Sequence, residues 1–168
     1  MTARIVNLAD VELHEHAHGT RFSARIGAVG SRIGARQLGY RLTALAPGKR
    51  AWPFHSHHAN EEMFLILEGS GRLRYGTEEH PVRAGDIVCA PAGGPETAHQ
   101  FINDSDADLK YLCVSTMREP DIVEYPDSAK FAAFAGAAPG GDKAARSFEA
   151  CARRGDAVDY WEGEDKED

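Results

Sequence analysis

Pro53-Phe54-His55-Ser56-His57-His58-Ala59-Asn60-Glu61-Glu62-Met63-Phe64-Leu65-Ile66-Leu67-Glu68-Gly69 is the stretch whose reading decides the fold. It opens on two histidines separated by one residue and closes on an apolar run stopped by a glycine. In a strand, residues i and i+2 point to one face, so His55 and His57 can reach a common point. A turn and a second strand can bring a carboxylate back to that point, and His99 is available downstream as a further ligand. Imidazole and carboxylate around one point suit a divalent metal such as Zn, Fe, Mn, Ni or Cu. Glu62 shares a strand face with Phe64 and Ile66, whereas Glu61 shares one with Met63, Leu65 and Leu67. Apolarity alone does not choose between the two. His58 falls opposite His57 and reads as a rim or surface histidine.

Outward from this stretch, strand follows strand. Leu38–Leu45 alternates and ends at the turn pair Pro47-Gly48. Ala51–His57 leads into Glu62–Glu68, whose length and flanking turns favour a buried strand over a helix. Gly71–Tyr75 and Glu79–Arg83 form a hairpin, and Ile87–Ala90 runs on to Pro91. His99–Ile102 and Leu109–Thr116 complete a series that predicts an all-β barrel or sandwich. After Thr116 the signal weakens. Ile122–Tyr125 reads as a strand stopped by Pro126, Asp127–Ala135 and Lys143–Arg153 as short helices, and the Gly/Ala/Pro stretch between them as a flexible linker.

Two frames of residues stand out in this series: Gly48, His55, His57, Glu62 and Gly69, then Gly85, Pro91, Gly93, His99 and Asn103. Together they resemble the two motifs of the cupin superfamily, over roughly residues 38–116. The resemblance implies an all-β fold, the cupin double-stranded β-helix (jelly-roll barrel), here with short C-terminal helices. It also implies His55, His57, Glu62 and His99 as ligands of one divalent metal per chain. This sequence departs from the motifs in the turn Gly94-Pro95-Glu96-Thr97-Ala98, which is longer than usual before the histidine, and in one extra residue between Gly48 and His55.

The stretch from Gly39 to Asp127 is similar to small cupins grouped with phosphomannose-isomerase-like and auxin-binding-like proteins. That similarity implies a sugar-phosphate isomerase interconverting aldose and ketose at the metal. Glu61, Tyr40 and Tyr75 are then candidate proton carriers, with Glu61 and Tyr40 named as catalytic. Arg41, Lys49, Arg50, Arg72, Arg74 and Arg83 are candidate phosphate holders. Two alternatives use the same ligands or none of the chemistry: a metal-dependent dioxygenase or decarboxylase, and a non-catalytic small-molecule-binding cupin. The family also implies a homodimer.

The 168 residues fit one domain. Residues 1–37 are expected as N-terminal strands and loops packing on the barrel, including Ala3–Leu8 and Thr20–Gly27. Residues 38–126 make the barrel and 127–168 a C-terminal extension with an acidic tail. His14, His16 and His18 alternate without a carboxylate–glycine frame and read as surface residues. Gly27, Gly30 and Gly34 mark a loop, not a phosphate cradle. A net charge of −7 argues against a nucleic-acid surface. Much of it sits beyond Asp156 and reads as a solvated tail, unless Tyr160 and Trp161 dock it on the barrel or a second subunit. Cys89, Cys113 and Cys151 do not pair as a disulfide framework, and Cys89 and Cys113 are expected in the core. No signal peptide or membrane-spanning stretch is visible, which points to the cytoplasm and away from membranes.

Overall fold

Along Glu62–Glu68, Phe64 and Ile66 turn into the main hydrophobic core, while Leu67 packs on the opposite face against Leu42, Val11 and Val29. Both faces of this strand are therefore apolar, because the N-terminal segment covers the outer one. The computed structural model describes residues 4–165. Its strands are β1 (His14–His18), β2 (Phe22–Ala28), β3 (Leu38–Leu45), β4 (Ser56–His57) and β5 (Glu62–Glu68). They continue with β6 (Ser70–Tyr75), β7 (Glu78–Arg83), β8 (Ile87–Ala90), β9 (His99–Ile102) and β10 (Leu109–Thr116). β11 (Asp121–Tyr125), β12 (Lys130–Ala135) and β13 (Phe148–Arg153) follow.

The strands form three sheets, in the orders β1-β2-β3-β10-β5-β8, β13-β12-β11-β4 and β7-β6-β9. Neighbouring strands pair antiparallel, as in a jelly roll. Phe64, Phe101 and Tyr111 meet in the interior, with ring centroids 5.0 Å apart for Phe64–Phe101 and 4.6 Å for Phe101–Tyr111. Leu45, Ile66, Leu73 and Leu109 complete this core below the histidines. Among the described residues no helix is long and apolar enough to cross a membrane.

Several expectations need correction. The stretches expected as C-terminal helices are the strands β12 and β13, with only 3-10 turns at Pro126–Ser128, Lys143–Ala145 and Arg154–Asp156. Alanine favours helix locally, but Ala132 and Phe134 alternate into a small core with Val123, and β12 pairs with β11 along its length. Tertiary pairing overrides the propensity. Ala3–Leu8 is not a strand over its described part; a 3-10 turn at Leu8–Asp10 begins there, capped by Asn7, and Ala3 lies outside the described residues. Ala51–His57 shortens to Ser56–His57. Cys89 is exposed, because β8 is an edge strand covered on one side only by β5. Tyr160 and Trp161 are 83% and 69% exposed and touch each other, so they do not dock on the barrel of their own chain; residues 166–168 lie outside the described part.

Asn103, completely buried, ties the ends of two loops together. Its amide donates to the carbonyls of Leu45 and Ala107, and its Oδ1 accepts from the backbone and hydroxyl of Ser105. It braces the barrel's base and does not reach the histidines. Asn103→Ala leaves those carbonyls unpaired in the interior, which costs about 2–3 kcal/mol. Urea denaturation should show the loss as a lower midpoint with an unchanged slope.

Candidate functional site

His55, His57 and His99 converge inside the barrel because the backbone pins them to each other. His55 and His99 form an antiparallel bridge, with His99 N–H donating to the His55 carbonyl at 2.8 Å. His57 sits in β4 opposite Val123 of β11. The long turn before His99 does not displace it. A 3-10 turn at Pro95–Thr97 absorbs the additional residues, and the carbonyl of Thr97 lies 3.2 Å from His99 Nδ1.

Each imidazole is fixed from behind through Nδ1. The partner is the Pro53 carbonyl for His55 (2.8 Å), Asp121 Oδ2 for His57 (2.7 Å) and the Thr97 carbonyl for His99. A carbonyl oxygen only accepts, so Nδ1 of His55 and His99 carries the proton. In the neutral ring the Nε2 lone pair is then free. Glu62 Oε2 lies 3.0 Å from His99 Nε2 and 3.5 Å from His57 Nε2. The donor atoms of His55, Glu62 and His99 lie within 4.8 Å of one another.

Electrostatics sharpen the picture. Burial, helped by the neighbouring His99 and His57, pushes the His55 pKa down to about 3, so its ring is neutral across the ordinary pH range. Burial also opposes a charge on His57, but the Asp121 hydrogen bond and the charges of Glu62 and Asp121 outweigh it and raise the pKa. Glu62 pays for desolvation, yet the His99 hydrogen bond and the surrounding imidazoles hold it well below the usual carboxylate range. His57 thus stands between two carboxylates, and His99 between two acceptors. A cation placed among the Nε2 atoms and Glu62 satisfies all of these groups at once. The donor set fits a divalent metal ion.

The four residues face a cavity of about 600 Å³, within the range of small-molecule sites. Phe64, Phe101 and Tyr111 make its apolar floor. Gln100, Tyr125 and the segment carrying Gly140, Lys143 and Arg146 also line it. Neither Glu61 nor Tyr40 lines this cavity, although Glu62 also borders the neighbouring cavity that Tyr40 lines. Glu61 is exposed, with its backbone N–H bonded to Thr116 Oγ1. Tyr40 packs in the outer-face cluster and lines a neighbouring cavity of about 520 Å³. Tyr75 packs against the core without lining the metal-side cavity. His58 is half exposed and its Nε2 lies 2.7 Å from Glu124. His14 and His18 stay on the exposed strand β1, while His16 of the same strand reaches the cavity rim.

Sequence reasoning misses Asp121, which is 1% exposed and orients His57 from 64 residues away. An isolated aspartate before an apolar strand carries no local signal for that role. Gln100, Tyr125, Lys143 and Arg146 are missed for the same reason.

Comparison with known proteins places the fold. Residues 41–115 match the family described as the Cupin domain. An uncharacterized protein of Methanocaldococcus jannaschii is 35% identical over 72 residues, which are 43% of this chain and 55% of that protein. The chain thus matches only about half the length of this curated relative. A sugar phosphate isomerase of the cupin superfamily from Silicibacter pomeroyi superposes with a TM-score of 0.73 at 26% identity, covering 91% of this chain and 94% of that one. A candidate sugar phosphate isomerase from Acidithiobacillus ferrooxidans gives a TM-score of 0.77 at 21% identity, covering 93% and 96%. Residues 41–115 thus match the Cupin domain, and over nearly its whole length the chain is similar in fold to a sugar phosphate isomerase of the cupin superfamily and to a candidate one.

Proposed function

We propose that the protein binds one divalent metal through His55, His57, Glu62 and His99 and isomerises a sugar phosphate between aldose and ketose forms. The observation that carries the metal reading is that Nε2 of His57 and of His99 both face Glu62, with a His55 donor atom within 4.8 Å of Glu62 and His99 and every Nδ1 already engaged. The reaction class rests on similarity to the Silicibacter pomeroyi structure. A bound divalent ion would grip adjacent substrate oxygens and polarise a carbonyl. The chain's own residues supply the rest. Phe64 and Phe101 exclude water beneath the site, which strengthens the electrostatics above them. Tyr125 lies beside His55, with ring centroids 6.3 Å apart. Burial raises its pKa and keeps the phenol protonated, so it can donate a proton to a substrate oxygen. A homodimer is part of the same proposal, since β1 and β8 leave both edges of the six-stranded sheet open to pairing.

Elemental analysis of protein purified without chelator or immobilised nickel tests the metal: about one per chain supports it. Incubation of the metal-loaded protein with a panel of aldose phosphates in heavy water tests the chemistry. Conversion with deuterium appearing at C1 or C2 supports isomerisation. A fully loaded protein that turns over no sugar phosphate and exchanges no deuterium sinks it.

Asp121→Asn gives a finer check. The carboxylate accepts from His57 Nδ1 on one oxygen and from the Ala59 backbone N–H on the other. An amide has a single acceptor oxygen, so one donor faces an NH₂ group. Metal affinity should fall about 10–100-fold, as for other residues that orient histidine ligands. Competition with a chromophoric chelator reads it directly.

A further inference from the structure

The cavity that holds the histidines has one carboxylate among its lining residues, Glu62, and three cations: Arg41, Lys143 and Arg146. Arg41 comes from β3, and Lys143 and Arg146 from the segment between β12 and β13. We propose that Arg41, Lys143 and Arg146 form a binding site for the phosphate end of a hydroxylated substrate whose other end meets the histidines. This inference rests on the sugar-phosphate reading above and assigns its anion site.

Position in the cavity, more than pairing, singles these three out. In a chain with 26 acidic and 19 basic residues, ion pairs are easily found. Arg25 pairs with Asp108, Arg72 with Glu79, Arg74 with Asp127 and Arg154 with Glu124. Lys49 is turned away to the carbonyl of Thr20. Of the phosphate holders expected from the sequence, Arg41 alone lines the cavity. Among the described residues neither Arg41 nor Lys143 has a carboxylate within salt-bridge distance. Arg41 donates to the carbonyl of Gly140 at 3.4 Å and lies over the Trp52 ring, 5.9 Å from its centroid.

Arg146 is the anchor of the site. Its side chain is 12% exposed and its guanidinium lies 4.6 Å from the centroid of the Phe134 ring, which fixes the plane. Nη1 donates to Glu149 at 2.8 Å, a partner that only half spends the fork. Nε is buried without any partner. A buried N–H left unpaired is costly, and a bidentate oxyanion is the ligand that fits an arginine edge. A second orphan lines the same cavity: Gln100 is 3% exposed, and its Oε1 accepts no hydrogen bond. It suits a substrate hydroxyl. With one charge of Arg146 offset by Glu149, the three cations leave two positive charges, more than a carboxylate needs and equal to the two negative charges of a phosphate monoester.

The test uses metal-reconstituted full-length protein and isothermal titration calorimetry. Inorganic phosphate, gluconate and gluconate 6-phosphate are the probes. Arg146→Gln and Lys143→Gln, singly and together, should keep one metal per chain, which also reports the fold. Each should weaken phosphate and gluconate 6-phosphate binding at least about tenfold, the double variant further. Phosphate affinity within twofold of wild type in the double variant overturns the site. So does phosphate binding that disappears in metal-free Glu62→Gln protein but survives in the arginine and lysine variants, because phosphate would then sit on the metal. Gluconate binding as tightly as gluconate 6-phosphate overturns the phosphate assignment. Phosphate binding that depends on these residues, without turnover of any sugar phosphate, supports the anion site and sinks the isomerase reading alone.

Discussion

Glu62→Gln protein should bind metal more than about 100-fold more weakly than wild type, a larger loss than removing a residue that merely orients a ligand. Glu62 is the one carboxylate in the donor set, and its Oε2 is the atom on which His57 and His99 both converge. Glutamine keeps the size and shape but removes the charge that attracts a dication. It also turns an NH₂ group toward imidazole nitrogens or toward Cys113, whose Sγ lies 3.5 Å from Oε1. Burial and the Glu62 charge raise the Cys113 pKa well above the ordinary thiol value, so this thiol stays protonated and is no substitute anion. Elemental analysis after dialysis checks the loss, and circular dichroism checks that the barrel remains. His14→Ala is the control. His14 lies on exposed β1 and should leave the metal content unchanged. Full metal retention in Glu62→Gln, or a large loss in His14→Ala, would overturn the ligand assignment.

Gly69→Ala should be nearly as damaging to the fold as Glu62→Gln is to the metal. Gly69 closes β5 with a φ of +76°, a left-handed conformation that costs an alanine about 1–2 kcal/mol. Sterics are worse. A Cβ there would collide with the carbonyl oxygen of Asp108, and that backbone cannot retreat because β10 begins at the next residue. Gly69 also receives the N–H of Ala84, which ties the turn to the loop before β8. The combined cost is on the order of 3–5 kcal/mol, a large part of the stability of a small domain. Thermal denaturation should show a drop of about 6–20 degrees, or soluble protein should not be recovered. A melting temperature within two or three degrees of wild type would mean that the loop around Asp108 yields easily.

What the sequence discloses is the part of the structure written in local pattern. Glu62–Glu68 and Leu109–Thr116 are strands on reading and strands in space, because their length, apolarity and flanking turns all agree. Glu61 against Glu62 resists a local answer for a definable reason: Val11, Val29 and Leu42 cover the outer face of β5, so both faces are apolar. Only the packed structure shows Glu62 turned into the cavity. The alanine-rich β12 and β13 read as helices, since their pairing partners and not their composition decide their state. Asp121 and Arg146 lie beyond any local signal. Each meets the site only after the chain has returned from a sheet of its own, and no spacing rule links them to His57 or His99.

The placement of the segment carrying Lys143 and Arg146 has an evolutionary consequence. The histidines and Glu62 lie within the barrel, tied to their neighbours by the β5–β10 and β5–β8 ladders, the β4–β11 pairing and the His55–His99 bridge. Lys143 and Arg146 lie in a connection flanked by glycines and by β13, an exposed strand held through β12 alone. Insertions, deletions and exchanges there disturb few buried contacts and leave the imidazoles where they are. Descendants of one such chain can diversify what they accept while keeping the same reactive centre, with the two properties drifting at different rates.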